Sequence, residues 1–258
     1  MNPDIAASAL AAARDAAAAA ADVIRHYWRR GVEVELKADA TPVTAADREA
    51  ERAIRKILQA ALPQASIYGE EFGLDGERGG LLWLVDPLDG TKSFVRRTPF
   101  FSTQIALMEG DELVLGVSSA PIYGETMWAS AGDGAWFDGE RVQVADTRAI
   151  DHASLSIGNV RTLTADARWD ALGALIRDSN RIRGYGDFCH YHLLARGSLD
   201  LVIESDVNIL DIAALAVIVR EAGGVFTDLD GSPLTLDTRS VLAGTSAIHA
   251  QALQRLRG

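Results

Sequence analysis

Five consecutive apolar residues, Leu81-Leu82-Trp83-Leu84-Val85, run straight into Asp86-Pro87-Leu88-Asp89-Gly90-Thr91. An apolar run bounded by proline and glycine predicts a buried strand that ends at the first acid. Pro87 fixes the backbone just after it, and Gly90 lets a ligand approach the main chain closely. Two carboxylates at the C-terminal end of a strand, beside backbone N–H groups, suit a hard cation and a phosphate together. The stretch predicts a metal-dependent phosphate site.

The bulk properties narrow the alternatives. The chain has 258 residues, 48% of them hydrophobic and 24% charged, enough for one large domain or two packed subdomains. A formal net charge of -11 argues against nucleic-acid binding through a basic face. The one cysteine, Cys189, excludes an internal disulfide and fits a reducing compartment. The alanine-rich N-terminus is interrupted by Asp4, Arg14 and Asp15, so neither a signal peptide nor a spanning helix is expected, and the cytoplasm is the expected location.

Along the chain, a long helix is predicted from Asp4 to Arg30, closed by Gly31, and a half-exposed strand from Val32 to Lys37. Thr44 followed by Asp47 resembles an N-cap with an acid in the first turn of a helix running to Ala61. The same Asp47, with Asp39, could instead line an acidic cleft. The segment Ser66 to Gly73 reads as a short strand ending in the paired acids Glu70-Glu71. Gln104–Met108 and Glu112–Val117 read as a hairpin, and Thr126–Ala129 and Ala135–Phe137 extend an antiparallel sheet with two helices packed on it. Beyond Val144 strands and helices alternate. Two subdomains are therefore expected, residues 1–147 carrying the acid motif and 148–258 completing the site.

Glu70, Asp86, Asp89 and Asp211 all stand at element ends, where side chains can converge. Asp211 also sits where a helix dipole favours a carboxylate, so capping alone would explain it. Cys189, His190 and His192 cluster in sequence, but neighbours on a helix point apart, and a zinc site there is not expected. Oxygen ligands favour Mg²⁺, with Mn²⁺ as the alternative.

Gly69-Glu70-Glu71, Asp86-Pro87-Leu88-Asp89-Gly90-Thr91-Lys92-Ser93-Phe94 and Asp211-Ile212-Ala213-Ala214, followed by Glu221-Ala222-Gly223-Gly224, resemble in order and spacing the signatures of the inositol monophosphatase family. The resemblance implies a layered αβαβα sandwich, two sheets with helices between and outside. It implies two or three Mg²⁺ ions held by Glu70, Asp86, the Leu88 carbonyl, Asp89 and Asp211. It gives the phosphate to the N–H groups of Gly90 and Thr91. Glu70 and Thr91, with Asp47, would activate the water that attacks phosphorus directly, and Lys37, Asp39 and Thr44 would support the metals. Leu210 departs from the family's usual tryptophan at a packing position. Li⁺ inhibition and a homodimer are further implications, together with a small phosphate monoester as substrate, no nucleic acid and no membrane.

Within the family, Lys92 to Phe101, Tyr185-Gly186-Asp187-Phe188 and the run Glu204 to Asp211 are similar to histidinol-phosphatases. Histidinol phosphate carries an ammonium and an imidazole, to which Asp187 and Glu204 could offer charge-assisted hydrogen bonds, with Asp89 also at the substrate. Asp187 is the discriminating residue, although it could instead cap the helix at Phe188. The alternatives are an inositol-1-monophosphatase or a broad sugar-phosphate phosphatase on the same scaffold and, from another class, a non-catalytic metal-binding homologue.

Overall fold

The computed structural model describes residues 2–31, 34–36, 42–77 and 79–257. The chain opens with helix α1 (Pro3–Arg30), strands β1 (Val34–Leu36) and β2 (Pro42–Thr44), helix α2 (Ala45–Ala61), β3 (Ser66–Gly69) and β4 (Gly73–Asp75). It continues through β5 (Leu81–Asp89), α3 (Thr91–Val95), β6 (Ser102–Glu109), β7 (Glu112–Ala120), β8 (Glu125–Ser130), β9 (Gly134–Phe137) and β10 (Glu140–Val142). The C-terminal part holds β11 (Ser154–Ile157), α4 (Val160–Leu163), α5 (Trp169–Asp178), β12 (Arg181–Arg183), α6 (Asp187–Ala195) and β13 (Leu201–Ser205). It closes with α7 (Ile209–Glu221), β14 (Val225–Thr227), β15 (Ser240–Gly244) and α8 (Ser246–Arg257).

Three apolar cores fill the four interfaces of five layers, the central one reaching both sheets around α6 and α7, which is the αβαβα sandwich that the resemblance implies. An eight-stranded sheet has the order β10-β9-β8-β7-β6-β5-β3-β4, and a five-stranded sheet the order β12-β11-β13-β15-β14. The pattern of the N-terminal half predicts an antiparallel sheet; β3 instead pairs parallel with β5, because β4 runs back antiparallel on the outer edge of β3 and the loop after it returns the chain in the direction of β3. Side chains alternate across this sheet. Trp83, Val85, Ile105 and Leu107 pack under α1 and α2, while Leu82, Leu84, Ala106 and Met108 face α6 and α7. Leu155, Leu201, Ile203 and Leu242 of the second sheet pack on α5 and α8.

Local chemistry accounts for the helices that position the site. In α1 the buried alanines 9, 12, 13, 16, 17 and 20 form one stripe at helical spacing, and their small side chains let α2 approach closely. α7 is apolar nearly all round, as the central layer requires, and Asp211 is the polar residue in its first turn. Gly116 of β7 lies directly under α7: a Cβ there would stand 2.4 Å from the Ala214 carbonyl oxygen. We predict that Gly116→Ala costs about 1–3 kcal/mol by overpacking, read as a fall in Tm of roughly 5 °C.

The strand carrying the acids does not end before Pro87. β5 continues to Asp89 through a bulge: Asp86 pairs with Gln104 and Asp89 with Ser102, so three steps on β5 face two on β6. In a regular strand, residues an odd number apart point to opposite faces. The extra residue at the bulge turns both acids to the same side. Leu88 N–H donating to Asp86 Oδ1 (2.9 Å) and Thr103 Oγ1 donating to the Pro87 carbonyl (2.9 Å) hold the bulge.

Candidate active site

The bulge brings Asp86 and Asp89 to Asp211. One carboxylate oxygen from each lies within 4.8 Å of the other two. Asp211 arrives from the other half of the chain as the third helical residue of α7. It closes a capping box with Asn208, whose backbone N–H donates to Oδ2 (3.0 Å) and whose Nδ2 donates to Oδ1 (2.7 Å). Capping therefore fixes the side chain that joins the cluster. Glu70 follows β3, is hydrogen-bonded to Asp86 and acts on both Asp86 and Asp211 by charge.

Asp47 shows the same double use. Its Oδ2 closes a capping box by accepting from Thr44 N (2.8 Å) and Thr44 Oγ1 (2.6 Å). Its Oδ1 accepts from Thr91 Oγ1 (2.9 Å), which also stands 3.1 Å from the Leu88 carbonyl. Capping and cleft, posed as alternatives in the sequence, are served by different oxygens of one carboxylate. Thr91 reaches this position because Gly90 turns the chain at φ +90, where a Cβ would come within 2.6 Å of the Phe100 carbonyl. Lys37 and Asp39 lie outside the described residues.

The electrostatics of the cluster are unfavourable to the protein alone. Burial, then Glu70 and the neighbouring aspartates, hold the Asp86 carboxyl well above the usual carboxylate range. Asp89 is raised in the same way by burial, then by Asp187 and Asp211. Asp211 is pushed up to about 7, mainly by burial. Among the described residues no lysine or arginine pairs with any of the three. A set of oxygen ligands converging without a counter-charge fits a divalent hard cation.

A cleft beside the cluster is lined by Asp89, Asn159, Asp187, Tyr191 and Glu204. Glu204 Oε2 accepts from Tyr191 OH (2.7 Å) and stands 3.1 Å from His190 Nε2. Its other side rests on Gly158, where a Cβ would come within 2.1 Å of Oε1. Asp187 is the first residue of α6, at φ 47, and Gly186 occupies the cap position with no side-chain cap bond. The capping alternative for Asp187 is thus not realised: among the described residues no backbone N–H of the first turn of α6 donates to its carboxylate. Burial, then Glu204, push its carboxyl up to about 6.

Residues 6–258 match the sequence profile of the inositol monophosphatase family. This chain belongs to that family. It is 40% identical over 225 residues to a histidinol-phosphatase of Streptomyces coelicolor, covering 84% of each chain. It is 38% identical over 228 residues to a histidinol-phosphatase of Mycobacterium tuberculosis, covering 86% of this chain and 87% of the relative. The crystal structure of the extragenic suppressor protein suhB from Bartonella henselae superposes with a TM-score of 0.87 at 30% identity, over 95% of this chain and 97% of that one. Family and relatives alike mark the chain as a phosphoric monoester hydrolase.

Sequence reasoning overlooked several residues around this inositol monophosphatase-type site. Glu51 is buried on α2, and its carboxylate accepts from Glu71 N (2.7 Å) and pairs with Arg55 (2.8 Å). It thereby holds the turn that presents Glu70. The Glu51/Arg55 spacing is a legible i,i+4 pair, but nothing in sequence shows that it is buried. Tyr191 and Asn159 carry no local signal at all, and His190 stands out in sequence only as part of the Cys189-His190-His192 cluster. Cys189, His190 and His192 do not converge: His190 faces Glu204 and Ser156, and His192 faces Ser118. No helix among the described residues is long and apolar enough to cross a membrane.

Proposed function

We propose that this chain is a Mg²⁺-dependent histidinol-phosphatase. The observation that carries the substrate is the cleft itself. Asp187 and Glu204 stand beside Asp89, and among the described residues neither pairs with a lysine or arginine. The His190 ring meets Glu204 from inside the fold, and Glu204 and Asp187 raise the proton affinity of Asp187 and Asp89 respectively. Such a cleft gains most from a ligand that brings positive charge next to its phosphate, as the ammonium and imidazole of histidinol phosphate do. The two relatives named histidinol-phosphatase support the same reading.

Glu70, Asp86, the Leu88 carbonyl, Asp89 and Asp211 would hold two or three Mg²⁺ ions, with Mn²⁺ as a substitute. Bound there, the ions supply positive charge to the phosphoryl oxygens and to the leaving oxygen. The protein's own residues do the rest. The N–H groups of Gly90 and Thr91 orient the phosphoryl group for in-line attack. Thr91 Oγ1, 2.9 Å from Asp47 Oδ1, hands its proton toward that carboxylate and keeps a lone pair for the attacking water. Glu70 accepts a hydrogen bond from the water's other O–H, which stays on the oxygen that becomes part of the product phosphate. The single proton released from the water is balanced by protonation of the leaving alkoxide from solvent. Asp187 and Glu204 hold the cationic half of the substrate, and Asp89 borders both halves. The same reading carries inhibition by Li⁺, a homodimeric assembly and a cytoplasmic location.

The test is phosphate release from histidinol phosphate and from inositol 1-phosphate, side by side, with Mg²⁺ and with chelator. We expect release to require Mg²⁺. We expect kcat/KM to favour histidinol phosphate by about 100-fold, or roughly 2.7 kcal/mol of transition-state discrimination. Equal rates would replace this reading with a broad-specificity or inositol phosphatase. Release that persists in chelator would overturn the metal-dependent mechanism.

A further inference from the structure

Behind the acid cluster a row of polar side chains crosses the apolar face of the large sheet. Ser102 Oγ donates to Asp89 Oδ2 (3.2 Å). Gln104 Nε2 donates to Ser102 Oγ (2.8 Å) and to Ser118 Oγ (3.1 Å). Ser118 Oγ lies 2.8 Å from His192 Nε2, and His192 Nδ1 faces Glu125 at the surface, 3.6 Å away. The register builds the row: Asp89 pairs with Ser102 across β5 and β6, and Gln104 pairs with Ser118 across β6 and β7. Ser102, Gln104 and Ser118 are fully buried, in a layer otherwise filled by Leu, Ala and Met.

The direction of every bond in the row follows from its ends. As a cation ligand Asp89 is ionised and can only accept, so Ser102 donates its own hydrogen to it and accepts another from elsewhere. Gln104 supplies that hydrogen with one N–H and serves Ser118 with the other. Ser118 in turn donates to Nε2 of a His192 that burial keeps from protonating easily. Both amide hydrogens are used, whereas Gln104 Oε1 has no partner among the described residues. An amide N–H cannot pass a proton along, so the row cannot be a proton path. What it does is fix direction: it aims a donor at Oδ2 of Asp89, so that the orientation of the whole carboxylate is set from behind.

We propose that Ser102, Gln104, Ser118 and His192 are positioning residues that hold Asp89 in its metal-binding orientation. Outer partners of a ligating carboxylate act this way in general, and losing one weakens metal affinity by about 10–100-fold. The proposal rests on the reading of Asp89 as a metal ligand. Its test is separate from activity: the Mg²⁺ dissociation constant of the substrate-free protein, read from the rise of Tm with MgCl₂.

Ser102→Ala should weaken Mg²⁺ binding about tenfold. Gln104→Met keeps the length of the side chain, removes both donors and should weaken it about threefold. The double variant should bind no more weakly than Ser102→Ala alone, because Gln104 acts on Asp89 only through Ser102. Saturating Mg²⁺ should restore most of kcat in both single variants. A folded Ser102→Ala protein that binds Mg²⁺ within twofold of the unaltered protein overturns the proposal. So does a double variant whose loss is the product of the two single losses, which marks independent packing effects. If the unaltered protein shows no Mg²⁺-dependent rise in Tm, the metal reading itself fails, and the proposal with it.

Discussion

Asp86→Asn is expected to lower kcat/KM on the order of 10³-fold or more, about 4 kcal/mol of lost transition-state stabilisation, while making the metal-free protein more stable. The two effects have one cause. Asp86 is buried among Glu70, Asp89 and Asp211, and its carboxyl is held well above the ordinary range. A carboxyl raised on folding is neutral in the native protein at pH values where it is ionised in the unfolded chain. Its contribution to stability therefore falls as pH rises from the unfolded value to the folded one. The loss is about 1.4 kcal/mol for each pH unit in that window. Asparagine never pays this penalty, and its Oδ1 can still accept from Leu88 N–H at the bulge. In chelator, the variant should melt above the unaltered protein at neutral pH. The difference should shrink toward zero near pH 4, where both side chains are uncharged. With Mg²⁺ present the order should reverse, because the unaltered protein gains from binding and the variant does not. Melting curves with and without Mg²⁺ across this pH range check all three statements. A variant less stable than the unaltered protein in chelator would show that the cluster is not strained by its own charge.

Asp187→Asn is expected to lower kcat/KM for histidinol phosphate by about 30–100-fold, the loss expected when one partner of a buried charged pair is removed, roughly 2–2.7 kcal/mol. Activity on inositol 1-phosphate should change by no more than a few fold. The substitution is mild for the fold: Asp187 lies at φ 47, a conformation that asparagine adopts as readily as aspartate. Relief of its repulsion with Glu204 even favours the variant's cleft in the absence of substrate. The effect should therefore show in kinetics and not in Tm. Equal losses on both substrates would move Asp187 from recognising the substrate's cation to maintaining the Asp89 cluster. No loss on either would remove the cleft from substrate recognition.

Much of the fold was legible because its signals are local. The alanine stripe of α1, the capping pair Thr44/Asp47 and the apolar run of β5 each specify an element through residues a few positions apart. The alternation beyond Val144 likewise marked the change from one sheet to the other. Errors fell where partners far along the chain decide. The end of β5 was misplaced because a bulge is defined by two strands, Asp86 to Asp89 against Gln104 to Ser102. The parallel pairing of β3 with β5 was missed for the same reason.

The acid cluster divides along the same line. Sequence alone determined which carboxylates stand at element ends, through the strand-proline-glycine pattern and the capping positions, and from them the phosphatase chemistry. Only the tertiary structure decided that Asp86 and Asp89 share a side, and that Asp47 serves its cap and Thr91 with separate oxygens. It also decided that Glu51 braces the Glu70 turn and that a row of buried polar groups ends on Asp89. Local motifs are set by steric and hydrogen-bonding rules within one turn or strand. The direction a buried side chain faces, and the charge it meets there, depend on strand register and layer packing that no short segment contains.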